Sequence, residues 1–440
     1  MTRSKIAVAA GLVAFGLAAC SSPAQNPTTS PTANESTEPL TLTFQSWVPN
    51  IDRAVDLFNE AHPNIHVNLE TITAGPDGGY AKMFSAVQAG NAADVAQVGY
   101  DWLPDFVRNG AAEDITAGFQ SSASLFQQWG VDAMTFGGAV YGVPQASSPL
   151  GLYYRSDIFE GLGIETPQTW DEFYQAAKAV HASDPNRYIA AFAYNQTPWL
   201  LGLSEQAGAV WFEPENDAWK VSVNDPETKK MAEFWQKLID EDLVKIEADM
   251  SNEWYADIQN GNVLSWICGS WGDAIIRGNA PATSGKWAVS YLPQWTAGAK
   301  DTGTWAGGSA NVVLKGTKHL KEAIEFAIWL NSNPESVSTL VSIGAGWPAL
   351  ADTTQIPSLQ DDPTVFAFYG GQNIWDVFAE SDKNVASRWK WPPLVSSLYT
   401  SVTDNVKASI NNKTPLTQAF DAAQAAMVAA MRDAGISVVE

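Results

Sequence analysis

From residue 40 onward the chain switches between apolar residues spaced by two and apolar residues spaced by three and four, the two periods that distinguish strands from helices. Leu40-Thr41-Leu42-Thr43-Phe44 alternates and predicts a strand, whereas Ile51, Ala54, Val55 and Phe58 fall at i, i+3, i+4 and i+7 and predict a helix. Pro63 and Asn64 break the chain before a second alternating run, Ile65 to Leu69. A helix then carries Met83, Phe84 and Val87 as far as Gly90, and Asp94 to Val98 reads as a short third strand.

The middle of the chain repeats this grammar. Tyr141-Gly142-Val143-Pro144 leads into the apolar strand Gly151-Leu152-Tyr153-Tyr154, and Thr169-x-x-Glu172 is a capping box for a helix from Trp170 to His181. Met231, Phe234, Trp235, Leu238 and Ile239 stripe another helix. Asn311 to Leu314 predicts a buried strand, and Leu320, Ala323, Ile324, Ala327 and Ile328 stripe the helix after it. Past Pro392 two helices are expected, one through Leu394, Leu398, Val402 and Val406, the other through Leu416, Phe420 and Met427. Strands alternating with helices, without a fixed internal repeat, place the chain in the α/β class.

Composition narrows the function. With 440 residues, 45% hydrophobic and 17% charged, the chain is long enough for two or three domains and can bury a large core. A formal charge of −23 makes nucleic acid or an anionic lipid surface a poor partner, and an uncharged or cationic ligand a better one. Tryptophan stands out, at 19 residues against 18 Phe and 12 Tyr, and indoles offer flat, amphipathic surfaces.

The first residues read as an address. Arg3 and Lys5 supply a positive start, Ile6 to Leu17 an apolar stretch too short to span a bilayer, and Leu17-Ala18-Ala19-Cys20 a small-residue ending that resembles a bacterial lipobox. The expectation is a signal peptide over 1–19, cleavage before Cys20, and a diacylglycerol and palmitate anchor on that cysteine. Residues 20–39, rich in Ser, Thr, Pro, Ala and Asn, would then be a flexible tether on the extracellular face of the cytoplasmic membrane. Cys268 is the one cysteine left, so exported placement does not rest on a disulfide.

Several fragments, taken in order, resemble the carbohydrate-type extracellular solute-binding lipoproteins of bacterial ABC importers, family 1 of the solute-binding proteins. They are Phe58-Asn59-Glu60-Ala61-His62-Pro63-Asn64-Ile65-His66-Val67, Ala93-Asp94-Val95, Gly110 to Thr116, Tyr141-Gly142-Val143-Pro144, Leu152-Tyr153-Tyr154-Arg155, Trp170-Asp171-Glu172-Phe173, Gly269-Ser270-Trp271, Gly307-Gly308 and Glu322-Ala323. Each is weak alone; their order and spacing cover nearly all of the chain after the tether. The resemblance implies a two-lobed, periplasmic-binding-protein-like α/β fold with a hinge and a central ligand cleft. By position, lobe one is expected at 40–147 plus 307–350 and lobe two at 148–306 plus 351–440. It further implies a monomer that captures an oligosaccharide, closes over it and hands it to ABC permease subunits, with no catalysis, cofactor or metal and no membrane contact beyond the anchor.

Sugars present C–H faces and a rim of hydroxyls, so a site for them needs aromatic platforms edged by polar groups. Candidates lie after strands and in Gly-rich turns, where open α/β sheets bind ligands. Gln45 and Trp47 follow the first strand, and Tyr100, Asp101 and Trp102 the third; Asn195, Gln196 and Trp199 share a polar loop. Trp271 stands in Gly269-Ser270-Trp271-Gly272, Trp305 directly before Gly307-Gly308-Ser309, Trp347 in Gly346-Trp347-Pro348, and Trp389 and Trp391 on either side of Lys390. Trp271 and Trp305 lead, because glycine neighbours leave their rings accessible and the resembling family often stacks sugar on an aromatic in the matching turn. Asp101 is either a solvated loop carboxylate or an acceptor for sugar hydroxyls. Trp170, Trp235 and Trp329 lie at apolar helix positions and are expected in the core.

Other chemistry finds little support. Cys268-Gly269-Ser270-Trp271 has Trp where a papain-like motif needs a second cysteine. Pro63 separates His62 from His66 and removes the helical face a metal pair would need. Phosphate-loop, dinucleotide and EF-hand signatures are absent. Two alternatives remain: a secreted glycan-active hydrolase, whose paired carboxylates 48 acidic residues neither reveal nor exclude, and a binding protein of the same fold for a cationic small molecule.

Overall fold

The structure, a computed structural model, describes residues 39–385 and 389–439. The signal peptide, Cys20 and all of the tether but Pro39 lie outside the described residues.

The framework is one ten-stranded sheet. Its strands are β1 (Leu40–Ser46), β2 (Ile65–Thr71), β3 (Val95–Gly99), β4 (Val143–Arg155), β5 (Tyr188–Ala193), β6 (Lys245–Glu247), β7 (Val263–Gly269), β8 (Trp287–Ser290), β9 (Thr304–Val313) and β10 (Trp347–Pro348). The main path runs β6-β5-β7-β4-β9-β3-β1-β2, with β8 and β10 also paired to β4. β1 pairs in parallel with β2 and β3, and β5 with β6 and β7, while β4 and β9 run antiparallel to every neighbour. Two parallel α/β halves are therefore joined by two long antiparallel strands in one mixed sheet.

β4 makes the junction. Its first residues pair with β9, Asn311 opposite Val143 and Gly308 opposite Ser147, and its last pair with β7, from Gly269 opposite Leu150 to Ser265 opposite Tyr154. The sequence predicts a strand over Gly151–Tyr154 with Tyr141–Pro144 leading into it; one thirteen-residue strand, Val143–Arg155, forms instead. Pro144 and Pro149 do not break it, because they face the irregular part of β9, where the register shifts between Thr304 and Gly308 and again between Ser309 and Ala310. The same irregularity corrects the reading of Trp305, Gly307 and Gly308, which lie in a bulged strand and not in a turn ahead of one. Gly308 has φ +137°, and a Cβ there would stand 2.0 Å from the carbonyl oxygen of Ala146, so only glycine fits.

Helices cover both faces. Asp52–Ala61 buries Ala54, Val55 and Phe58 as their spacing predicts, and Gly79–Ala89 ends at Gly90 with φ +72°. Trp170–Ser183 starts on the predicted capping box, Thr169 Oγ1 accepting from Glu172 N–H while the Glu172 carboxylate reaches back to Thr169 N–H. Pro226–Asp240, Leu320–Ser332, Val395–Asn412 and Leu416–Asp433 match the striped segments. Trp170 and Trp235 are buried core residues, and half-buried Trp329 packs its ring edge on Phe58. No helix among the described residues is long and apolar enough to cross a membrane.

Candidate functional site

The two leading indoles meet where the halves of the sheet join. Trp271 precedes the helix Gly272–Asn279 at the end of β7, and Trp305 sits in the bulged start of β9; their rings contact edge to face, 5.1 Å between centroids at 88°. Both remain half-buried. Trp305 packs against the hydrophobic cores on both faces of the sheet, so it lies at a seam and not inside one layer.

Two residues beyond Trp305 the bulge brings in a second group. A Cβ on Gly307 would lie 3.2 Å from both the Trp391 indole and Tyr100 Cβ, so the bare backbone there lets Trp391, from the C-terminal half, approach Tyr100, from the turn after β3. Trp391 meets Trp389 at 5.9 Å, and Trp389 meets Trp211 at the same separation. A third group gathers on Tyr80, whose hydroxyl accepts from Gly99 N–H at 2.7 Å. Trp102 packs over it at 4.8 Å and Trp47 against its edge at 5.9 Å. Seven of the residues singled out in sequence, Trp47, Tyr100, Trp102, Trp271, Trp305, Trp389 and Trp391, thus fall into three aromatic groups.

Polar groups lie beside these rings. The Tyr100 hydroxyl, Trp102 Nε1, Gln145 Nε2 and Trp389 Nε1 have no hydrogen-bond partner among the described residues. Ser309 Oγ donates to Gln145 Oε1 at 3.2 Å and accepts from Gln97 Nε2 at 3.4 Å, and Ser46 Oγ donates to Gln97 Oε1 at 2.7 Å. Unpaired donors beside a chain of acceptors and donors are what a hydroxyl-rich ligand can satisfy.

The carboxylates are placed differently from expectation. Asp101 is 2% exposed, not a solvated loop residue; its Oδ2 accepts from the Tyr399 hydroxyl, and burial pushes the carboxyl up to about 7 against the pull of that bond. Asp105, one helical turn later, accepts from Leu394 N–H at 2.8 Å and Val395 N–H at 3.1 Å, capping the helix Val395–Asn412. Asp382, which sequence reasoning missed, accepts from Ser147 Oγ and Gln127 Nε2, each at 2.5 Å, and burial raises its carboxyl too. All three acids are engaged by protein donors.

Other candidates stand elsewhere. Gln45 lies within β1 and donates from Nε2 to Glu70 at 2.8 Å. Trp199 is not in a loop: it belongs to the helix Thr197–Ala207, which is buried at nearly every position, is itself 2% exposed, and packs on Trp235 at 4.7 Å. Gln196 stands at the N-cap position of the same helix with no side-chain capping bond, and the Thr197 hydroxyl donates to the carbonyl of Tyr399 at 3.2 Å. Asn195 accepts from Asp249 N–H at 2.8 Å. Trp347 is buried in β10, its backbone N–H held by Ser270 Oγ at 2.7 Å directly beside the Trp271 turn. Cys268 is fully buried and burial pushes its thiol well up, the placement of a core residue. A surface cavity of about 310 Å³, lined by Glu233, Gln236, Lys237 and Leu416 among others, lies away from the aromatic groups.

The family model for bacterial extracellular solute-binding proteins matches residues 38–337. The chain belongs to that family. The lactose-binding protein of Rhizobium radiobacter is 27% identical over 403 residues, 87% of this chain and 90% of its own length. Among solved structures, the galacto-N-biose/lacto-N-biose I-binding protein of the Bifidobacterium longum ABC transporter, in complex with lacto-N-biose, superimposes with a TM-score of 0.82 at 27% identity, covering 91% of this chain and 99% of that one. The ABC transporter associated binding protein of B. animalis subsp. lactis, in complex with β-1,6-galactobiose, gives 0.81 at 25% identity over 92% and 100%. The fold of this solute-binding protein is accordingly the two-lobed α/β fold of sugar-binding proteins, and the two solved relatives are binding proteins of ABC transporters.

Proposed function

We propose that this solute-binding protein captures a neutral oligosaccharide outside the cell and delivers it, chemically unaltered, to the permease subunits of an ABC importer. The observation that carries the reading is the perpendicular Trp271–Trp305 pair at the strand junction; unpaired donors on Tyr100, Trp102 and Gln145 are carried by β4 and by the turn after β3, the two elements that pair with β9. One indole offers its face to a sugar ring while the other buttresses it, and the donors meet the hydroxyl rim. The match to the lactose-, galactobiose- and lacto-N-biose-binding relatives supports sugar as the class of ligand.

In this reading, lobe one comprises 40–147 plus 307–350 and lobe two 148–306 plus 351–440, with β4 and β9 as the crossing strands. A ligand that touches both lobes favours the closed arrangement by the free energy of the added contacts, and the permease reads closure as the sign of cargo. Lipidation at Cys20 and the tether up to residue 39 keep a monomeric receptor at the membrane without a spanning helix.

A panel of neutral di- and oligosaccharides, scored by the shift in melting temperature and followed by chromatography of the sugar after incubation, tests the proposal. At least one glycan is expected to raise the melting temperature by several degrees and to be recovered intact. A flat panel, or shortened products, contradicts it; shortened products would turn the protein into a hydrolase.

A further inference from the structure

Asp249 is a further buried carboxylate, bonded to the indole that touches Trp271, and the assignment of Trp271 does not use it. It is 4% exposed. Its Oδ2 accepts from the indole N–H of Trp266 at 3.1 Å and its Oδ1 from Met250 N–H at 3.0 Å. Asn195 clamps its backbone from both sides, accepting from Asp249 N–H at 2.8 Å and donating to the Asp249 carbonyl at 3.4 Å. Met250, the next residue, has φ +56°, a left-handed conformation that a non-glycine residue holds only where surrounding bonds enforce it.

Trp266 lies in the middle of β7, a strand buried at every position, and touches Trp271 at 5.7 Å and 84°. The ring also presses on the turn itself: a Cβ on Gly272 would come within 3.0 Å of it. On its other side Trp271 folds back over Gly269, where a Cβ would stand 2.8 Å from its Nε1. The Tyr153 hydroxyl fixes the carbonyls of Gly269 and Ser270 at 3.1 Å each. The angle of Trp271 is thus set by a ring whose one polar atom is tied to Asp249. An apolar side chain would fill the same space without the desolvation that a buried carboxylate carries, so packing alone does not account for an acid there.

We propose that Asp249 is a positioning residue: anchored by Asn195, it fixes the indole of Trp266, and Trp266 holds Trp271 at the angle a sugar ring requires. The proposal rests on Trp271 being the sugar platform and gives Asn195 a role one step removed from ligand. The groups that face Asp249 are Trp266, Tyr255, the buried neutral Cys268 thiol and Glu247, itself bridged to Lys245 at 3.0 Å. Burial pushes the Asp249 carboxyl up to about 7, so the Trp266 bond passes from a charged to a neutral acceptor within reach of ordinary buffers. A charged acceptor holds an N–H roughly twice as strongly as a neutral one.

The test compares the native protein with Asp249→Asn and Asn195→Ala at pH 5.5 and 8.5, reading near-UV circular dichroism without sugar and affinity for lactose and β-1,6-galactobiose. The native indole bands are expected to change between the two pH values, and Asp249→Asn to lose the larger part of that change. Native affinity for whichever sugar binds is expected to fall at least threefold at pH 5.5, with Asp249→Asn nearly flat, and Asn195→Ala to weaken binding at least threefold at pH 8.5. Asp249→Asn retaining the full native pH response in the indole bands overturns the proposal, as does a native spectrum that does not move. If neither sugar binds while the spectral change appears and Asp249→Asn abolishes it, the pinning of Trp266 stands and the sugar assignment falls.

Discussion

Tyr399 donates its hydroxyl to the buried carboxylate of Asp101, joining residues 298 positions apart in the chain. With Asp105 capping the same helix at Leu394 and Val395, the turn after β3 and the short helix Leu103–Arg108 that follows it grip the start of Val395–Asn412 at two points. Tyr399→Phe removes the donor and leaves the carboxylate buried, at an expected cost of about 1–3 kcal/mol. Thermal unfolding measures it, and an unchanged midpoint would mean the bond carries no stability.

The same carboxyl gives a pH dependence with a definite sign. Its ordinary value is 3.8 and its folded value about 7, so between these the folded protein holds a proton that the unfolded chain releases, and stability falls as pH rises from about 4 to about 7. Asp249 acts in the same direction. Asp101→Asn is therefore expected to show a smaller drop in melting temperature between pH 5 and pH 8 than the native protein, by calorimetry at both pH values. An identical drop in the two proteins would contradict the assignment.

Gly308→Ala is expected to be the most damaging glycine substitution in β9, because its Cβ would collide with the Ala146 carbonyl at 2.0 Å and the backbone is held at φ +137°. Loss of the β4–β9 pairing should lower the unfolding midpoint severely or prevent folding. Gly285→Ala, at φ +78° with open space around it, is the control and should cost about 1 kcal/mol. Equal effects of the two would show that strain, and not collision, sets the cost.

Binding and stability separate by tryptophan. Trp271→Ala and Trp305→Ala should each weaken glycan affinity at least tenfold with a modest change in melting temperature. Trp199→Ala, which empties a site packed by Trp235 and Phe192, should cost about 3–5 kcal/mol of stability. Calorimetry of binding and of unfolding on the same three variants distinguishes the roles, and a binding defect confined to Trp199→Ala would reverse them.

Much of this was legible in the sequence. Helices with a regular stripe and a stop signal, such as Gly79–Ala89 before Gly90, and Trp170–Ser183 on its capping box, follow from local spacing alone. The misread stretches are those where distant pairing overrides local pattern. The strand expected from local pattern covers only Gly151 to Tyr154, yet β9 and β10 pair with the residues before it, and Asp382 comes from 235 residues away to satisfy Ser147. Asp101 looks solvated until Tyr399 covers it. Trp271 and Trp305 were found through glycine neighbours, whereas their perpendicular contact depends on β4 drawing β7 and β9 together, which no local window contains. Polar residues inside an otherwise apolar strand, as at Gln145 and Ser147, were the available signal for the junction.

The most direct measurement is isothermal titration of the native protein and of Trp271→Ala with lactose, β-1,6-galactobiose, lacto-N-biose and longer neutral oligosaccharides. The account predicts one-to-one binding of at least one glycan at micromolar Kd or tighter, about −8 kcal/mol or better, and at least a tenfold loss in Trp271→Ala. No heat from any glycan, or equal affinity in the two proteins, would contradict it.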